Sequence, residues 1–392
     1  MKKIALVLGI RPDIIRASIF INKMRAELGK NFVLVWSGQH YSENLKDIFF
    51  QELGVGQPDV ELGIIGNSDA ALVGDLLPKL YKALIDIRPS AVIFLGDTNT
   101  VAGSIAAAQL NIPIIHIEGC MRSYDWRMPE EKYRKITDHL SDLIFAYLPE
   151  YKTQGLAEGI PSENIEVCGN PIVDVLQTYF VAGKLRLTQS QSSKLRSEKY
   201  GLAEKSPFAL MTAHRRENVE DEASLRRVLA LSEATKIPVI FPAGYRTQNA
   251  IARFGVKIPK NVVQVDPIGY LEILELLTHA DFTLTDSGTL VEEACILGTP
   301  TIQMRHSTER PQVYTWGASV KFDPTLEENP KKTIEKVRMV GKASWNHGFG
   351  DGTASEFIFD SVLDKLHHDS LSRHEPEAYQ PWSKLSFIGD SR

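Results

Sequence analysis

The chain has little cysteine. Cys120, Cys168 and Cys295 are the three in 392 residues, too few and too scattered for a disulfide framework or a metal knuckle. It lacks any apolar run approaching the roughly 20 residues that a membrane-crossing helix needs, which argues against a membrane protein. The start, Met1-Lys2-Lys3, is basic, but the apolar run behind it is short and flows into Gly9-Ile10-Arg11-Pro12. That reads as a strand and a loop, not as a signal peptide, and makes the cytoplasm the default location. Charge of one sign is also missing in excess: a net charge of -5, with 24% of residues charged, offers no global pull toward nucleic acid or an anionic membrane. No Gly-x-Gly-x-x-Gly follows the first strand and there is no P-loop, which disfavours a dinucleotide oxidoreductase or a nucleoside triphosphatase. No His, Cys and Asp grouping has metal-ligand spacing.

What is present is an alternation of short apolar runs with amphipathic segments. At 392 residues the chain is long enough for about two domains of roughly 150 residues, each with its own core. Strands are expected at Lys3 to Leu8, Phe32 to Trp36, Ala91 to Leu95, Ile112 to Ile117, Leu143 to Tyr147 and Ile165 to Cys168, with helices at Pro12 to Leu28, through Phe50, at Ala70 to Ile87 and at Lys132 to Leu140. Such βα alternation argues a parallel sheet with right-handed crossovers. A first domain is expected over residues 1–170, ending at Gly169-Asn170-Pro171. A polar connector, Leu185 to Lys205, suits the surface better than a core. The pattern then restarts with strands at Phe208 to Thr212, Pro238 to Phe241, Val262 to Val265 and Phe282 to Thr285, giving a second domain over 171–352. A last helix, Ala354 to His367, is expected to pack back on the first domain, and the tail from residue 369 has no clear period. His367-His368 reads as a surface pair.

Several polar groups fall where these strands end, which is where ligands bind in open parallel sheets. Asp97 follows one strand and opens Asp97-Thr98-Asn99-Thr100, any member of which could instead cap the next helix. Glu118 follows Ile114-Ile115-His116-Ile117. Glu130 opens a helix, where an acid complements the dipole with or without chemistry. In the second half, Thr285-Asp286-Ser287-Gly288 joins a strand to a helix whose first amides and Ser287 hydroxyl could hold phosphate oxygens, or could form an ordinary capped start. Glu293 could reach ribose hydroxyls or lie on a solvated face. Arg11 and Arg16 in the first helix, and Arg215, Arg216 and Arg310 after strands of the second half, have the planar groups that suit a diphosphate. His214 could donate to the same anion. Acids in one domain and an anion-binding helix start in the other suggest a nucleotide-diphosphate sugar held in a cleft.

In this order the motifs resemble the non-hydrolysing UDP-N-acetylglucosamine 2-epimerase family. They are Gly9-Ile10-Arg11-Pro12, Gly38-Gln39-His40, Gly96-Asp97-Thr98-Asn99-Thr100, His116-Ile117-Glu118, Pro129-Glu130-Glu131, Gly169-Asn170, His214-Arg215-Arg216-Glu217-Asn218, Thr285-Asp286-Ser287-Gly288 and Thr308-Glu309-Arg310-Pro311. The resemblance runs from about Lys3 to about Leu366. It implies two Rossmann-like parallel-sheet domains of the glycosyltransferase B type facing a cleft, no cofactor, no metal, a homodimer and a UDP-linked acetamidosugar as ligand. It implies inversion at C2, by default of UDP-N-acetylglucosamine to UDP-N-acetylmannosamine, through elimination and re-addition of UDP. By motif match Asp97, Glu118, Glu130 and His214 carry over as catalytic residues. Arg11, Arg16, Arg134, Ser287, Gly288, Glu293 and Arg310 carry over as substrate-binding residues, with Arg134 supporting the acids.

The departures bear on substrate. Arg16 stands where the family has Lys, Gly119-Cys120-Met121 where it has Ala-Gly-Leu, and Tyr133 where it has Asn. A modified UDP-acetamidosugar for surface polysaccharide is therefore an alternative, as are a glycosyltransferase of the same fold and a silent UDP-sugar-binding regulator. The His-bearing segment that helps form an activating site in many bacterial members is missing near Phe241-Pro242-Ala243-Gly244, so allosteric activation is expected to be weak or absent.

Overall fold

The structure, a computed structural model, describes residues 2–38, 53–182, 187–326, 329–368 and 370–371. Gln39, His40, the helix expected through Phe50 and most of the C-terminal tail lie outside the described residues. The chain divides into two compact units. One comprises the chain up to Met121, Trp126–Gly169 and the chain from Thr353 onward, and the other comprises Arg122–Asp125 with Asn170–Gly352.

The first unit is built on β1 (Ile4–Leu8), β2 (Phe32–Trp36), β3 (Val60–Glu61), β4 (Ala91–Leu95), β5 (Ile114–Ile117), β6 (Leu143–Ala146) and β7 (Ile165–Val167). They form one sheet in the order β3-β2-β1-β4-β5-β6-β7, and its pairs are parallel. The sequence reason is direct: Ile-Ala-Leu-Val-Leu and Ala-Val-Ile-Phe-Leu are buried at every position, as strands covered on both faces must be. One face of the core joins Ala5, Val7, Val35, Val92, Phe94 and Ile114 to Leu76, Leu80 and Leu84 of the Asp69–Ile87 helix. Each such large side chain contributes roughly 1.5–3 kcal/mol when fully buried. The C-terminal helix Ala354–His367 belongs to this unit, burying Ile358 and Val362. Ser361 Oγ donates to Glu166 at 2.7 Å, and Lys365 pairs with the same carboxylate at 3.1 Å.

The second unit repeats the plan with β8 (Ala209–Thr212), β9 (Val239–Pro242), β10 (Val262–Val265), β11 (Phe282–Thr285), β12 (Thr301–Met304) and β13 (Ser319–Phe322). The order is β10-β9-β8-β11-β12-β13, again with parallel pairs. β3, β12 and β13 carry no apolar run that marks them as strands in the sequence. Two of them, Thr301-Ile302-Gln303-Met304 and Ser319-Val320-Lys321-Phe322, mix polar residues into the run and give no continuous apolar signal. The described part of the polar connector, residues 187–205, forms two short helical segments with most of its residues exposed, and it is anchored by Ser192, whose Oγ donates to the buried Glu275, and by the buried Arg196, whose Nε donates to Ser192 O at 3.3 Å.

In each sheet the order reverses once, between β1 and β4 in the first unit and between β8 and β11 in the second. At such a switch point the connections from neighbouring strands leave in opposite directions, and the carboxyl ends open a crevice lined by loops. The loops after β1 and β4 carry Arg11 and Asp97, and those after β8 and β11 carry His214 and Ser287. Among the described residues no helix is long and apolar enough to cross a membrane.

Candidate functional site

In the first unit, Gly9 ends β1 and the helix Arg11–Leu28 starts at once, with Pro12 in its first turn. Asp13 turns back and accepts the N–H groups of Gly9 (3.3 Å) and Ile10 (3.1 Å), satisfying amides that the helix itself leaves open. One turn on, Arg16 donates from Nη2 to Asp13 Oδ1 at 3.0 Å, while its Nη1 meets Glu118 Oε2. Burial pushes the Asp13 carboxyl up to about 6, against Arg16 and the two amides, which pull it down. Arg16 is thus a buried bridge between Asp13 and Glu118, not an exposed arm. Arg11 sits at the first helical position, and its side chain lies outside the described residues.

Glu118 leaves β5 in the left-handed region, at φ 78°, and Cys120 repeats this at φ 63°. A non-glycine residue held there costs on the order of 1–3 kcal/mol and persists only where its surroundings over-determine it. Here they do: the Glu118 and Gly119 amides both donate to Phe145 O at 3.1 Å, and Arg16 takes the carboxylate. Gly119 has no room for a side chain, since a Cβ would lie 2.8 Å from Asp138 Oδ1. Cys120 and Met121 are buried, so the residues that depart from the resemblance here are packed inside.

Asp97 does not cap a helix. The turn after it, Asn99–Gly103, begins without a side-chain cap, and Asp97 Oδ2 instead meets Arg134 Nη1. Arg134 forks, donating from Nη2 to Glu131 Oε2 at 3.0 Å. Both come from the helix Pro129–Leu140, whose first turn also carries the half-buried Glu130. Arg134 and Glu131 are fully buried, and Asp97 keeps 20% of its side chain exposed, so the guanidinium is a fixed support behind a reachable carboxylate. The structure therefore joins Arg16 to Glu118 and Arg134 to Asp97.

In the second unit, Asp286 organises the loop. Its carboxylate accepts the N–H groups of His214 and Arg215 at 2.9 Å each and Asn218 Nδ2 at 3.1 Å, and it lies 3.1 Å from His214 Nδ1. The imidazole, 53% exposed, has its Nδ1 edge toward that buried carboxylate. Ser287 caps the helix Gly288–Leu297, its Oγ accepting Leu290 N–H at 3.3 Å, so the capped-start reading is realised while the hydroxyl proton stays available to donate. Gly288 is forced: a Cβ would lie 2.6 Å from Arg310 Nη1. Arg310 was expected to face a diphosphate, yet it is buried, with Nε on Glu292 at 2.6 Å and Nη1 on Glu309. Its guanidinium packs against Gly288 at the start of the helix and compensates two buried carboxylates, Glu292 and Glu309. Glu293 is also buried, and Tyr270 Oη donates to its Oε1 at 2.8 Å; the solvated-face reading of Glu293 fails.

Sequence reasoning assigned no role to Asp13, Asp138 and Asp286: Asp13 pairs with Arg16, Asp286 holds the His214 loop, and Asp138 bonds His116 and the Cys120 amide beside Glu118. The available signal was spacing: Asp13 precedes Arg16 by three, and Glu130, Arg134 and Asp138 recur every four residues along one helix face. Among the described residues no group of three or more His, Cys, Asp or Glu could hold a metal ion.

A family model described as UDP-N-acetylglucosamine 2-epimerase matches residues 22–363. A UDP-N-acetylglucosamine 2-epimerase of Methanococcus maripaludis is 38% identical over 376 residues, covering 93% of this chain and 99% of that one. A UDP-2,3-diacetamido-2,3-dideoxy-D-glucuronate 2-epimerase of Pseudomonas aeruginosa is 34% identical, covering 91% and 98%. The crystal structure of the Methanocaldococcus jannaschii UDP-GlcNAc 2-epimerase in complex with UDP-GlcNAc and UDP superposes with a TM-score of 0.82 at 33% identity, covering 92% and 99%. With two parallel α/β sheets and matches that span nearly its whole length, the chain belongs to the UDP-N-acetylglucosamine 2-epimerase family.

Proposed function

We propose that this protein inverts C2 of a UDP-linked N-acetylhexosamine, with UDP-N-acetylglucosamine and UDP-N-acetylmannosamine as the default pair, and that it works as a homodimer without a cofactor. The observation that carries this reading is the pairing at the ends of adjacent strands β4 and β5: Asp97 held by Arg134, and Glu118 held by Arg16. A C2 proton is only weakly acidic, so its removal has to be coupled to loss of a good leaving group. In the first step a carboxylate of the group Asp97, Glu118 and Glu130 takes the proton. The C2–H electrons form the C1=C2 double bond, and the C1–O bond breaks with its electron pair leaving on UDP. In the second step UDP re-adds at C1 while a proton is delivered to the opposite face of C2. Carboxylates placed by buried guanidinium groups enter this reaction already oriented, which lowers the reorganisation each step requires.

The leaving diphosphate needs donors aimed at its developing charge. Arg11, the His214 imidazole, the Ser287 hydroxyl and the open amides of the Gly288–Leu297 helix supply them in this reading, and Glu293 takes the ribose.

A second reading keeps the reaction and changes the sugar to a modified acetamido derivative. The Pseudomonas aeruginosa relative, named for a diacetamido-uronate, favours it at 34% identity. One experiment covers both: proton NMR of UDP-acetamidosugars in deuterated water, with wild type, Asp97→Asn and Glu118→Gln. Wild type should wash deuterium into C2 and interconvert the epimers, and each variant should lose at least about 100-fold while still binding UDP. No C2 exchange by wild type with any UDP-acetamidosugar would overturn the proposal.

A further inference from the structure

Behind the acids lies a buried pair that the reaction scheme does not use. His116 stands in β5 and Asp138 in the Pro129–Leu140 helix, and both are fully enclosed. Asp138 Oδ1 meets His116 Nδ1 at 2.7 Å, and its Oδ2 accepts the Cys120 N–H at 3.0 Å. The other ring nitrogen, Nε2, lies 2.8 Å from Gly96 O. Each contact lands beside a candidate acid: Gly96 immediately precedes Asp97, and Cys120 follows Glu118 by two residues across a left-handed turn.

We infer that His116 and Asp138 are positioning residues for the epimerisation, a buried clamp that ties the Asp97 loop to the Glu118 loop and sets the distance between the two carboxylates. The clamp rests on the proposed reaction. Both ring nitrogens face oxygen atoms, of a carboxylate and of a carbonyl, so the ring is held at both ends and both bonds are directional. The same helix therefore grips the Asp97 loop twice, through Arg134 on the side chain and through Asp138 and His116 on the backbone carbonyl before it. Gly119 is the place where the clamp passes, since a Cβ there would lie 3.2 Å from His116 Nδ1 as well as pressing on Asp138. An elimination followed by re-addition on the other face needs both acids in register in the same active site, so a shift of one loop against the other strikes the chemical step.

The clamp makes a discriminating set of variants possible. In Asp138→Asn the amide nitrogen can donate to His116 Nδ1 while the amide oxygen accepts Cys120 N–H and His116 Nε2 keeps its proton for Gly96 O, so every bond survives. Asp138→Ala loses the bond to Cys120 N–H in the Glu118 loop, His116→Phe loses the bond to Gly96 O in the Asp97 loop, and each breaks the link between the two residues. The readouts are C2 exchange by NMR, the kcat and KM of epimerisation, and UDP binding stoichiometry, which counts folded sites. Wild-type exchange shows separately that the proposed reaction is right. Given that, Asp138→Ala or His116→Phe should lower kcat about 100-fold, the scale of a loop misplaced by about 1 Å, with KM and UDP stoichiometry little changed. Asp138→Asn should stay within about threefold of wild type. A purely structural pair would instead lower the melting temperature and the fraction of UDP-binding sites while kcat per site held; that result overturns the clamp. A folded Asp138→Asn with full UDP stoichiometry and kcat down more than about tenfold overturns it equally, and this variant decides the matter if the other two do not fold.

Discussion

Arg134→Met is the most direct probe of how the first unit holds its acids. The side chain keeps most of its unbranched apolar stem and loses the charged guanidinium. Arg134 and Glu131 are buried to 1% and 0% exposure and bonded at 3.0 Å, so the substitution leaves the Glu131 carboxylate in the core without its guanidinium. Breaking a buried pair by removing one partner costs about 3–5 kcal/mol. The Asp97 contact adds little to that figure, because Asp97 is 20% exposed and water takes up its charge. With a urea slope of about 2 kcal/mol per molar, the unfolding midpoint should fall by roughly 1.5–2.5 M. The companion change matters more: adding Glu131→Gln removes the stranded charge, and since a buried pair exchanged for neutral groups is often energetically neutral, most of the midpoint should return. The activity should not return with it, because Asp97 still lacks its support. A midpoint shift below about 0.3 M for Arg134→Met, or a further loss on adding Glu131→Gln, would refute the reasoning, since either means that Glu131 does not depend on Arg134.

Asp13 provides a pH test with a definite sign. Its folded pKa of about 6 lies above the 3.8 of an ordinary aspartate, so the folded state holds this proton more tightly, and its contribution to stability is full below about pH 4 and lost as pH rises to about 6. The unfolding free energy of wild type minus that of Asp13→Asn should fall across that window and be level from pH 7 to 8; a rise would mean that Arg16 outweighs burial. Gly9→Ala tests the packing between the β1 and β4 loops. Its Cβ would strike the Thr100 hydroxyl and lie 2.8 Å from Ser37 Oγ, an overpacking worth about 1–3 kcal/mol that thermal melting should detect and that Thr100→Ala in the same chain should partly relieve.

The two sheets were legible because their central strands are covered on both faces and so read as unbroken apolar runs: Ala91 to Leu95 and Phe32 to Trp36 match the observed strands at both ends. Where a strand interleaves Thr, Gln, Ser and Lys, as β12 and β13 do, that signal disappears and the pairing comes from tertiary context. The site was legible in the same limited sense. Residues at strand ends stand next to a visible landmark, and Asp97, Glu118, His214 and Ser287 were found in that way. What a strand end cannot show is how the side chain beyond it is held. Asp97 caps nothing because Arg134 reaches it first, and Arg310 packs against Gly288 because Glu292 and Glu309 are buried beside it. Arg134 lies 37 residues from Asp97 and Glu292 lies 18 from Arg310, and no local pattern encodes which partner wins. The polar residues that sequence reasoning overlooked, Asp13, Asp138 and Asp286, share one property: each accepts at least one backbone N–H from a loop that carries an expected site residue. In a parallel sheet the reactive groups stand on loops whose own amides are unpaired by the sheet, so a carboxylate that pairs those amides is as much a requirement of the site as the group that faces the substrate.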